Sequence, residues 1–233
     1  MVKAQQLCIC VGETLLRNVI FDVIKILSNA GICVNMVSNG ILMTDDVAIK
    51  LKQSGINDVQ ISIDGLGSQH DNFRNREGAF KSAVNAVECL KSAGISPVVS
   101  MVPNKINYAS FPAYVEYISN LGAKSIRMMP LLPMGRGKIN FDDFFMSSKE
   151  MFEFVSKLGY LKEKYPNMNI DWGDPLEHLY LVRVTRRRYP LVVSISSSGK
   201  LGVTPYLPIT VGDVRKHSLK EYWDAGLNTI WRN

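Results

Sequence analysis

Short apolar segments alternate with segments of helical periodicity about five times between Leu7 and Tyr165, and this alternation restricts the folds available to the chain. The apolar runs predict strands at Leu7–Val11, Ile32–Val37, Val59–Ile63, Ser96–Val102 and Ser125–Met129. The helical spacing predicts helices at Leu15–Ala30, Thr44–Ser54, Ala79–Ala93, Tyr108–Leu121 and Ser147–Tyr165. Because the strands are short and nearly all apolar, we expect parallel strands that are buried on both faces and joined by right-handed helical crossovers. The sequence therefore predicts an α/β fold, an open or closed (β/α) barrel that is partial because it has too few units for a full eight.

The alternation stops after Tyr165, where proline and glycine residues punctuate the chain. A Ser-Ser-Ser-Gly turn between Leu191–Ile195 and Lys200–Val203 predicts a β-hairpin. A terminal helix is predicted for Ser218–Ile230, in which Glu221 completes a capping box with Ser218. We therefore expect a barrel domain at residues 1–166 and a small C-terminal extension at residues 167–233.

The composition is that of a globular protein, with 46% hydrophobic residues and a net charge of +6. The basic run Arg186-Arg187-Arg188 has no interleaved aromatic residues, so we expect a solvated surface and no nucleic-acid partner. The four cysteines show no C-x-x-C spacing, and we expect buried, reduced thiols and no metal site. No apolar run is long enough to span a bilayer and no signal peptide is visible, so we expect a cytoplasmic protein without a membrane partner.

Polar residues follow the first and third predicted strands, at the sheet edge where α/β proteins bind ligands. Glu13 follows Gly12 at a strand-to-helix turn, whose amides would suit a carboxylate or phosphate. Glu13 could equally pair with a lysine or cap the helix. Asp64, two residues after Ser62, could bind a sugar diol or cap the following turn.

A polar stretch rich in turn residues, Leu66–Gly78, is predicted to be a long loop, and such loops are often functional. Its His70-Asp71 pair could serve as acid and base or could form a local turn. Arg74 and Arg76 could clamp a ligand carboxylate or lie in solvent. The sequence contains no Ser-His-Asp order, no phosphate-binding P-loop and no zinc spacing, and it assigns no catalytic residue.

Taken together and in this order, these motifs resemble the radical S-adenosylmethionine (radical SAM) enzymes, in the branch with a C-terminal SPASM or twitch-like extension. The matching segments are Val11–Leu16 (family pattern G-G-E-P-L-L), Ser38–Gly40 (T-N-G), Ile61–Gly65 (I-S-L-D-G), His70–Phe80 (H-D-x-x-R, then G-x-F) and Pro133–Gly137 (P-x-G-R-G). The match covers roughly residues 7 to 140 and is weaker in the extension, around Gly202–Asp213 and Leu219–Trp223.

The resemblance implies two cofactors, S-adenosylmethionine and a [4Fe–4S] cluster, whose joint chemistry abstracts a hydrogen atom from a peptide or small-molecule substrate. It implies that the Gly12-Glu13 turn holds the methionine amino group and that Arg74 faces the methionine carboxylate. The full set of cofactor-binding residues implied is Gly12, Glu13, Ser38, Asn39, Ser62, Asp64, Arg74, Met129 and Leu131. Ser62 and Asp64 would lie near the ribose and the methionine moiety, and the segment with Met129 and Leu131 would pack on the adenine.

The family's three cluster cysteines, spaced C-x-x-x-C-x-x-C, do not occur in the sequence, and Val11 and Thr14 replace a glycine and a proline of the family pattern. The C-terminal extension contains no cysteine, and Thr204-Pro205-Tyr206 stands where relatives often have a cysteine, so we expect no auxiliary cluster. We expect a truncated, inactive domain that lacks the family's first strand. Its exposed sheet edge would then favour self-association.

Three functions are compatible with these features. The first is a radical SAM enzyme, with a peptide or protein substrate implied by the type of extension. The second is a non-catalytic descendant of the barrel that binds a peptide or another partner. The third is an unrelated barrel enzyme that acts on a phosphorylated or sugar substrate.

Overall fold

The computed structural model describes residues 4–10, 12–133, 135–173, 192–203 and 209–229. Its contacts divide the chain after Gly173 into two compact units, a large one that spans Ala4–Gly173 and a small one that contains the remaining described residues. The predicted boundary at residue 167 lies before this division, because Asn169–Trp172 forms one more strand of the large unit. The basic run Arg186-Arg187-Arg188 and the segment Thr204-Pro205-Tyr206 lie outside the described residues.

The large unit is built on a six-stranded parallel sheet in which the strands follow one another in chain order. The strands are β1 (Gln6–Ile9), β2 (Cys33–Ser38), β3 (Asp58–Ser62), β4 (Pro97–Met101), β5 (Ser125–Met128) and β6 (Asn169–Trp172). The helices are α1 (Ile20–Asn29), α2 (Asp45–Gln53), α3 (Ser68–Arg74), α4 (Ala79–Ser92), α5 (Phe111–Leu121), α6 (Arg136–Ile139), α7 (Phe141–Phe144) and α8 (Ser148–Lys164). This architecture confirms the predicted α/β class and partial barrel.

Three stretches differ from the sequence prediction. The first helix begins only at Ile20, because a separate 3-10 turn at Thr14–Leu16 precedes it, capped by the Glu13 side chain. The stretch Leu66–Gly78, predicted to be a loop, contains helix α3. The sixth strand, β6, was not predicted, since it offers only four residues with alternating exposure.

The two faces of the sheet differ in polarity, so the expectation of strands buried on both faces is wrong. One face is mostly apolar, and its buried residues include Val34, Met36, Val59, Ile61, Val99, Met101, Ile126, Met128 and Ile170. Most residues of the other face are polar and partly exposed, among them Cys8, Asp58, Gln60, Ser62, Ser100, Arg127 and Asp171. With strands in chain order, right-handed crossovers place the helices on one side, so only that side becomes a packed core.

The outer strands of the sheet are β1 and β6, each of which pairs with a single neighbour among the described residues. Next to β1, the segment leading into α1 exposes Leu16 and Val19, and α1 itself exposes Ile26. Self-association through this edge stays a prediction. Among the described residues, no helix combines the length and the apolar composition that crossing a membrane requires.

The small unit contains an antiparallel sheet and a short helix. Its elements are β7 (Ser194–Ile195), β8 (Lys200–Gly202), β9 (Thr210–Asp213) and α9 (Leu219–Asp224). The predicted hairpin is present between β7 and β8, although Leu191 lies outside the described residues. The predicted capping box is also present, because Ser218 Oγ accepts the Glu221 amide and the Glu221 carboxylate accepts the Ser218 amide.

Candidate functional site at the carboxyl edge of the sheet

The carboxyl ends of β1, β2 and β3 are followed by the polar residues that the sequence analysis selected. Parallel strands end at the same edge of a sheet, so the segments that follow them converge there. At this edge the structure connects Glu13 with Ser38 and Asn39, and it connects Asp64 with Arg74. These two groups of contacts form the candidate site.

Glu13 ties the end of β1 to the end of β2. Its Oε1 accepts a hydrogen bond from Ser38 Oγ at 2.8 Å, and its Oε2 accepts one from the Asn39 amide at 2.9 Å. Oε1 also accepts the Leu15 amide at 3.2 Å, so one of the two alternative roles foreseen for Glu13, a helix cap, is confirmed. The carboxylate therefore fixes the turn after β1 against the turn after β2.

The Ser38-Asn39-Gly40 turn after β2 has a geometry that requires glycine at its last position. Gly40 has φ = +81°, and a Cβ built there would lie 2.9 Å from the Ala86 Cβ and 3.0 Å from the Ala83 Cα of α4. Ser38 Oγ accepts the Gly40 amide at 3.0 Å, and Asn39 Oδ1 accepts the Ile41 amide at 2.9 Å. The turn is thus closed by its own side chains and packed directly against a helix.

Asp64, directly after β3 and Ile63, is a buried carboxylate whose two oxygens are both bonded. Only 1% of its surface is exposed. Its Oδ2 accepts hydrogen bonds from Nε and Nη2 of Arg74, each at 2.7 Å. Its Oδ1 accepts a hydrogen bond from the Val102 amide at 3.0 Å. Asp64 therefore anchors α3 and the segment after β4 to the end of β3, a role that neither of its sequence-based interpretations included.

His70 of α3 supports the backbone of the same residue, Asp64. Its Nδ1 accepts the Asp64 amide at 2.9 Å, so this nitrogen carries no proton in the structure. Burial lowers the pKa of the His70 imidazole; the Asp64 charge opposes this shift and the Arg74 charge adds to it. His70 is thus a buried, neutral support for the strand end.

Asp71, the neighbour of His70, faces a different element. Its two carboxylate oxygens accept the amides of Gly78 at 2.9 Å and Phe80 at 2.7 Å, at the beginning of α4. These backbone hydrogen bonds lower the pKa of the Asp71 carboxyl group. His70 and Asp71 do not form an acid–base pair, because each is committed to a separate backbone contact.

Two buried asparagines after β4 complete the support of Asp64, and the sequence analysis missed them. Asn107 and Asn104 are each 1% exposed. Asn107 Nδ2 donates to the carbonyl oxygens of Asp64 at 2.6 Å and Val102 at 3.0 Å, while its Oδ1 accepts the Asn104 amide at 2.7 Å. The signal that could have revealed them is a pair of asparagines in the segment that follows a buried strand, where ligand-binding and turn residues are common.

The remaining predicted positions lie along the same edge. Ser62 is the last residue of β3, and its hydroxyl lies 3.5 Å from the hydroxyl of Ser100 on β4. Met129 follows β5, and its amide donates to the Met101 carbonyl at 3.4 Å. Leu131 lies two residues further on and is half-buried. Their expected roles toward a ribose and an adenine stay predictions.

The cysteines do not follow the prediction of buried thiols. Cys8 and Cys10 are exposed and Cys33 is half-buried, whereas Cys89 is buried in α4. A hydrogen bond from Cys8 lowers the pKa of the Cys10 thiol to about 6, and the same contact raises the pKa of Cys8. Among the described residues, no three or more His, Cys, Asp or Glu side chains are grouped so that they could hold a metal ion.

Comparison with known proteins matches the chain to a defined family. The model of the Radical SAM superfamily matches residues 2–118, half of the chain. An AdoMet-dependent heme synthase of Methanosarcina barkeri is 25% identical over 91% of this chain and 66% of its own length. The sporulation killing factor maturation protein SkfB of Bacillus subtilis is 32% identical over 71% of this chain and 38% of its own length. The chain thus spans less than two thirds of either relative.

Solved structures share the fold. Native anSMEcpe with bound AdoMet and Kp18Cys peptide superposes with a TM-score of 0.73, covering 97% of this chain and 68% of that chain at 16% identity. Streptococcus suis SuiB bound to precursor peptide SuiA superposes with a TM-score of 0.74, covering 94% of this chain and 53% of that chain at 12% identity. At these identities the likeness concerns the fold alone.

Proposed function

Because this chain belongs to the radical SAM superfamily, we propose that the carboxyl edge of its sheet binds S-adenosylmethionine, in an enzyme that modifies a peptide. When bound, S-adenosylmethionine would supply a radical only after a one-electron reduction, and no residue of this chain is assigned to that reduction. The residues of this chain then have to orient the cofactor and hold its polar groups at the strand ends. The observation that carries the proposal is the position of Glu13, which joins two strand ends at the predicted site.

Glu13 retains the capacity to bind an ammonium group. A carboxylate offers about four lone-pair sites, and Glu13 uses three of them for Ser38, Asn39 and Leu15. Beside it, Gly12 has φ = +75° and no atom within 4 Å of a built Cβ, so the turn leaves open space. These features fit the methionine amino group of the cofactor.

Arg74 retains donors for the methionine carboxylate. A guanidinium has five N–H groups, and the contacts with Asp64 use those on Nε and Nη2. The Arg74 side chain is 35% exposed, so part of it faces solvent beside the strand ends. Asp64 already compensates the positive charge of Arg74. We therefore expect Arg74 to position the methionine carboxylate mainly by hydrogen bonds and less by electrostatic attraction.

The residues present do not fit an iron–sulfur cluster. Cluster ligation needs several thiolates, and the four cysteines of the sequence show no C-x-x-x-C-x-x-C spacing. Cys8 and Cys10 are exposed near β1, while Cys89 is buried in a helix. We therefore assign no cluster ligand to this chain and no step that depends on one.

A peptide substrate is supported by two facts. SkfB and the mycofactocin maturase MftC of Mycolicibacterium smegmatis, which is 29% identical over 60% of this chain, are maturation proteins by name. The helix-free face of the sheet carries partly exposed polar side chains such as Gln60, Ser100 and Arg127. Such a face offers hydrogen-bonding partners to an extended polar chain.

Equilibrium dialysis with labelled S-adenosylmethionine tests the proposal. We expect saturable binding to the wild-type chain and weaker binding, by about tenfold or more, to Glu13→Gln, which removes the charge that faces the ammonium. The matched control is Glu88→Gln, the same change at an exposed position of α4, which leaves binding unchanged. Glu13→Gln also weakens the contacts of Glu13 with Ser38 and Asn39. Arg74→Lys therefore provides a second variant, which retains the positive charge beside Asp64.

Two outcomes would contradict the proposal. One is an absence of saturable binding to the folded wild-type chain, and the other is equal binding by the wild type and both site variants. Retention of a peptide in the absence of S-adenosylmethionine binding would favour the alternative function, a binding module without catalysis.

A further inference from the structure

Two buried polar atoms on the helix-free face of the sheet lack a hydrogen-bond partner. They are Asp58 Oδ1 at the start of β3 and Ser125 Oγ at the start of β5, and every other buried side-chain nitrogen or oxygen in the described part of the chain is paired. Ser125 aligns through Val98 with Gln60 in the strand register. Asp58 lies two residues before Gln60, so both unpaired atoms belong to the same face. Because buried polar groups in proteins are nearly always hydrogen-bonded, we expect their partners in a molecule that lies on this face.

Arg127 of β5 presents its guanidinium to the same face. The side chain is 43% exposed, and its Nη1 lies 4.0 Å from Asp58 Oδ1, which is beyond hydrogen-bond distance. Burial raises the pKa of the Asp58 carboxyl group more than the Arg127 charge lowers it, as expected for a loose contact. Asp171, opposite Arg127 on β6, instead accepts a hydrogen bond from Asn169 Nδ2 at 2.7 Å. Among the described residues, Arg127 therefore retains its N–H donors for a ligand.

The strand register aligns Arg127 with two serine hydroxyls. Ser62 of β3 lies opposite Ser100 of β4, and Ser100 lies opposite Arg127. The two hydroxyls are 3.5 Å apart, and both serines are half-buried. Because Ser62 is expected near the ribose of the cofactor, a ligand held by Arg127 and Ser100 would lie beside that cofactor. This is the position that a substrate requires.

We propose that Arg127 selects a peptide substrate with an acidic side chain, Asp or Glu, whose carboxylate it binds on the helix-free face of the sheet. The inference rests on the proposed function, a peptide-modifying enzyme, and names its substrate class. A guanidinium donates paired, charge-assisted hydrogen bonds to a carboxylate, which a neutral amide side chain cannot match. On the same face, Asp58 Oδ1 would accept an N–H group of the peptide, and Ser125 Oγ would bond a further polar group.

NMR titration of the ¹⁵N-labelled chain with two probe peptides tests the inference. The probes are acetyl-Gly-Asp-Gly-Ser-amide and acetyl-Gly-Asn-Gly-Ser-amide, so the Asp side chain is their single difference and the single carboxylate. We expect the acidic probe to shift the Arg127 Nε–H signal and the amides of Ser100 and Ser125, and to bind at least about threefold more tightly. Arg127→Gln should abolish this preference. The control Arg17→Gln, the same change at an exposed position before α1, should retain it.

Three outcomes would overturn the inference. They are equal affinity of the wild type for both probes, shifts that do not include the helix-free face, and a preference that persists in Arg127→Gln when circular dichroism shows that variant to be folded. Dialysis with S-adenosylmethionine distinguishes a failure of the proposed function, because Arg127 is not assigned to the cofactor and Arg127→Gln should bind it as the wild type does. A wild type that prefers the acidic probe but does not bind S-adenosylmethionine would contradict the cofactor assignment and support the peptide site.

Discussion

Arg74 places its Nε and Nη2 each 2.7 Å from the same carboxylate oxygen of Asp64, and that carboxylate is 1% exposed. The two partners differ in burial, because the Arg74 side chain remains 35% exposed. The pair fixes α3 against the end of β3. It thereby sets the position of the polar segment that borders the proposed cofactor site.

This difference in burial predicts an asymmetric response to mutation. Arg74→Gln leaves a buried carboxylate without its cation and should lower the free energy of unfolding by about 3–5 kcal/mol. Asp64→Asn leaves a cation that can turn to solvent and should cost about 1.5–3 kcal/mol. Urea unfolding measures both. The exposed Arg76→Gln serves as the control and should change stability by less than about 0.5 kcal/mol.

The prediction depends on the order of the two effects. A larger loss of stability in Asp64→Asn than in Arg74→Gln would show that the network of hydrogen bonds on Asp64 dominates over the buried charge.

His70 should make stability depend on pH in a window below neutrality. The pKa of His70 is lowered by burial, whereas an imidazole in the unfolded chain has a pKa of about 6.5. The unfolded state therefore binds more protons below about pH 6.5, so stability should fall as the pH drops through that value toward the folded pKa. Urea unfolding at several pH values should show this slope in the wild type.

His70→Asn retains an acceptor for the Asp64 amide and should flatten that slope. The exposed His217→Asn should leave the slope in place. An unchanged slope in a folded His70→Asn variant would assign the pH dependence to other groups.

Gly40 and Gly31 allow steric crowding to be separated from backbone strain. Both have positive φ, +81° and +77°, but only a Cβ at Gly40 meets other atoms, those of Ala83 and Ala86 in α4. Gly31→Ala should cost the strain alone, about 1–2 kcal/mol. Gly40→Ala should cost about 1–3 kcal/mol more, because the added methyl group overpacks the turn against the helix. Equal losses in the free energy of unfolding would mean that α4 shifts to make room for the methyl group.

Cys10 should be the thiol that reacts first with an alkylating reagent. With its pKa at about 6, Cys10 is mostly thiolate at neutral pH, while burial raises the pKa of Cys89 to about 11. Peptide mapping after brief iodoacetamide treatment should find the label on Cys10, with a rate that falls below about pH 6. Cys8→Ala removes the hydrogen bond and should slow the reaction at neutral pH, whereas Cys33→Ala should not. Faster labelling of Cys33 than of Cys10 would contradict this order.

Much of the fold could be predicted because its periodic signals are local. The alternation of strands and helices, and the ends of β2 and α2, follow from apolar spacing and from the Thr44 cap, which accepts the Val47 amide. The polar face of the sheet also has a local signal, because apolar and polar residues alternate in Val59-Gln60-Ile61-Ser62. The prediction of strands buried on both faces took account of the apolar residues alone.

The contacts of the candidate site could not be predicted in the same way. Helix α3, Ser68–Arg74, is a polar segment with little apolar periodicity, and its contacts with the strand ends depend on tertiary structure. The distance along the chain from Asp64 to Asn107 and Val102 likewise hides their hydrogen bonds from any local pattern. The strand ends were identifiable from the sequence, whereas the way in which their residues bond to one another was not.

The central claim is that S-adenosylmethionine binds at the carboxyl edge of the sheet, and mapping amide chemical shifts by NMR during titration with this cofactor tests it most directly. The account predicts that the largest shifts occur at Gly12 and Glu13, at Ser38–Gly40 and at Asp64–Gly65. Shifts confined to the small unit, or to the polar hollow lined by Ser68, Asn72 and Glu77, would contradict the claim. A spectrum that the cofactor leaves unchanged at saturating concentration would contradict it as well.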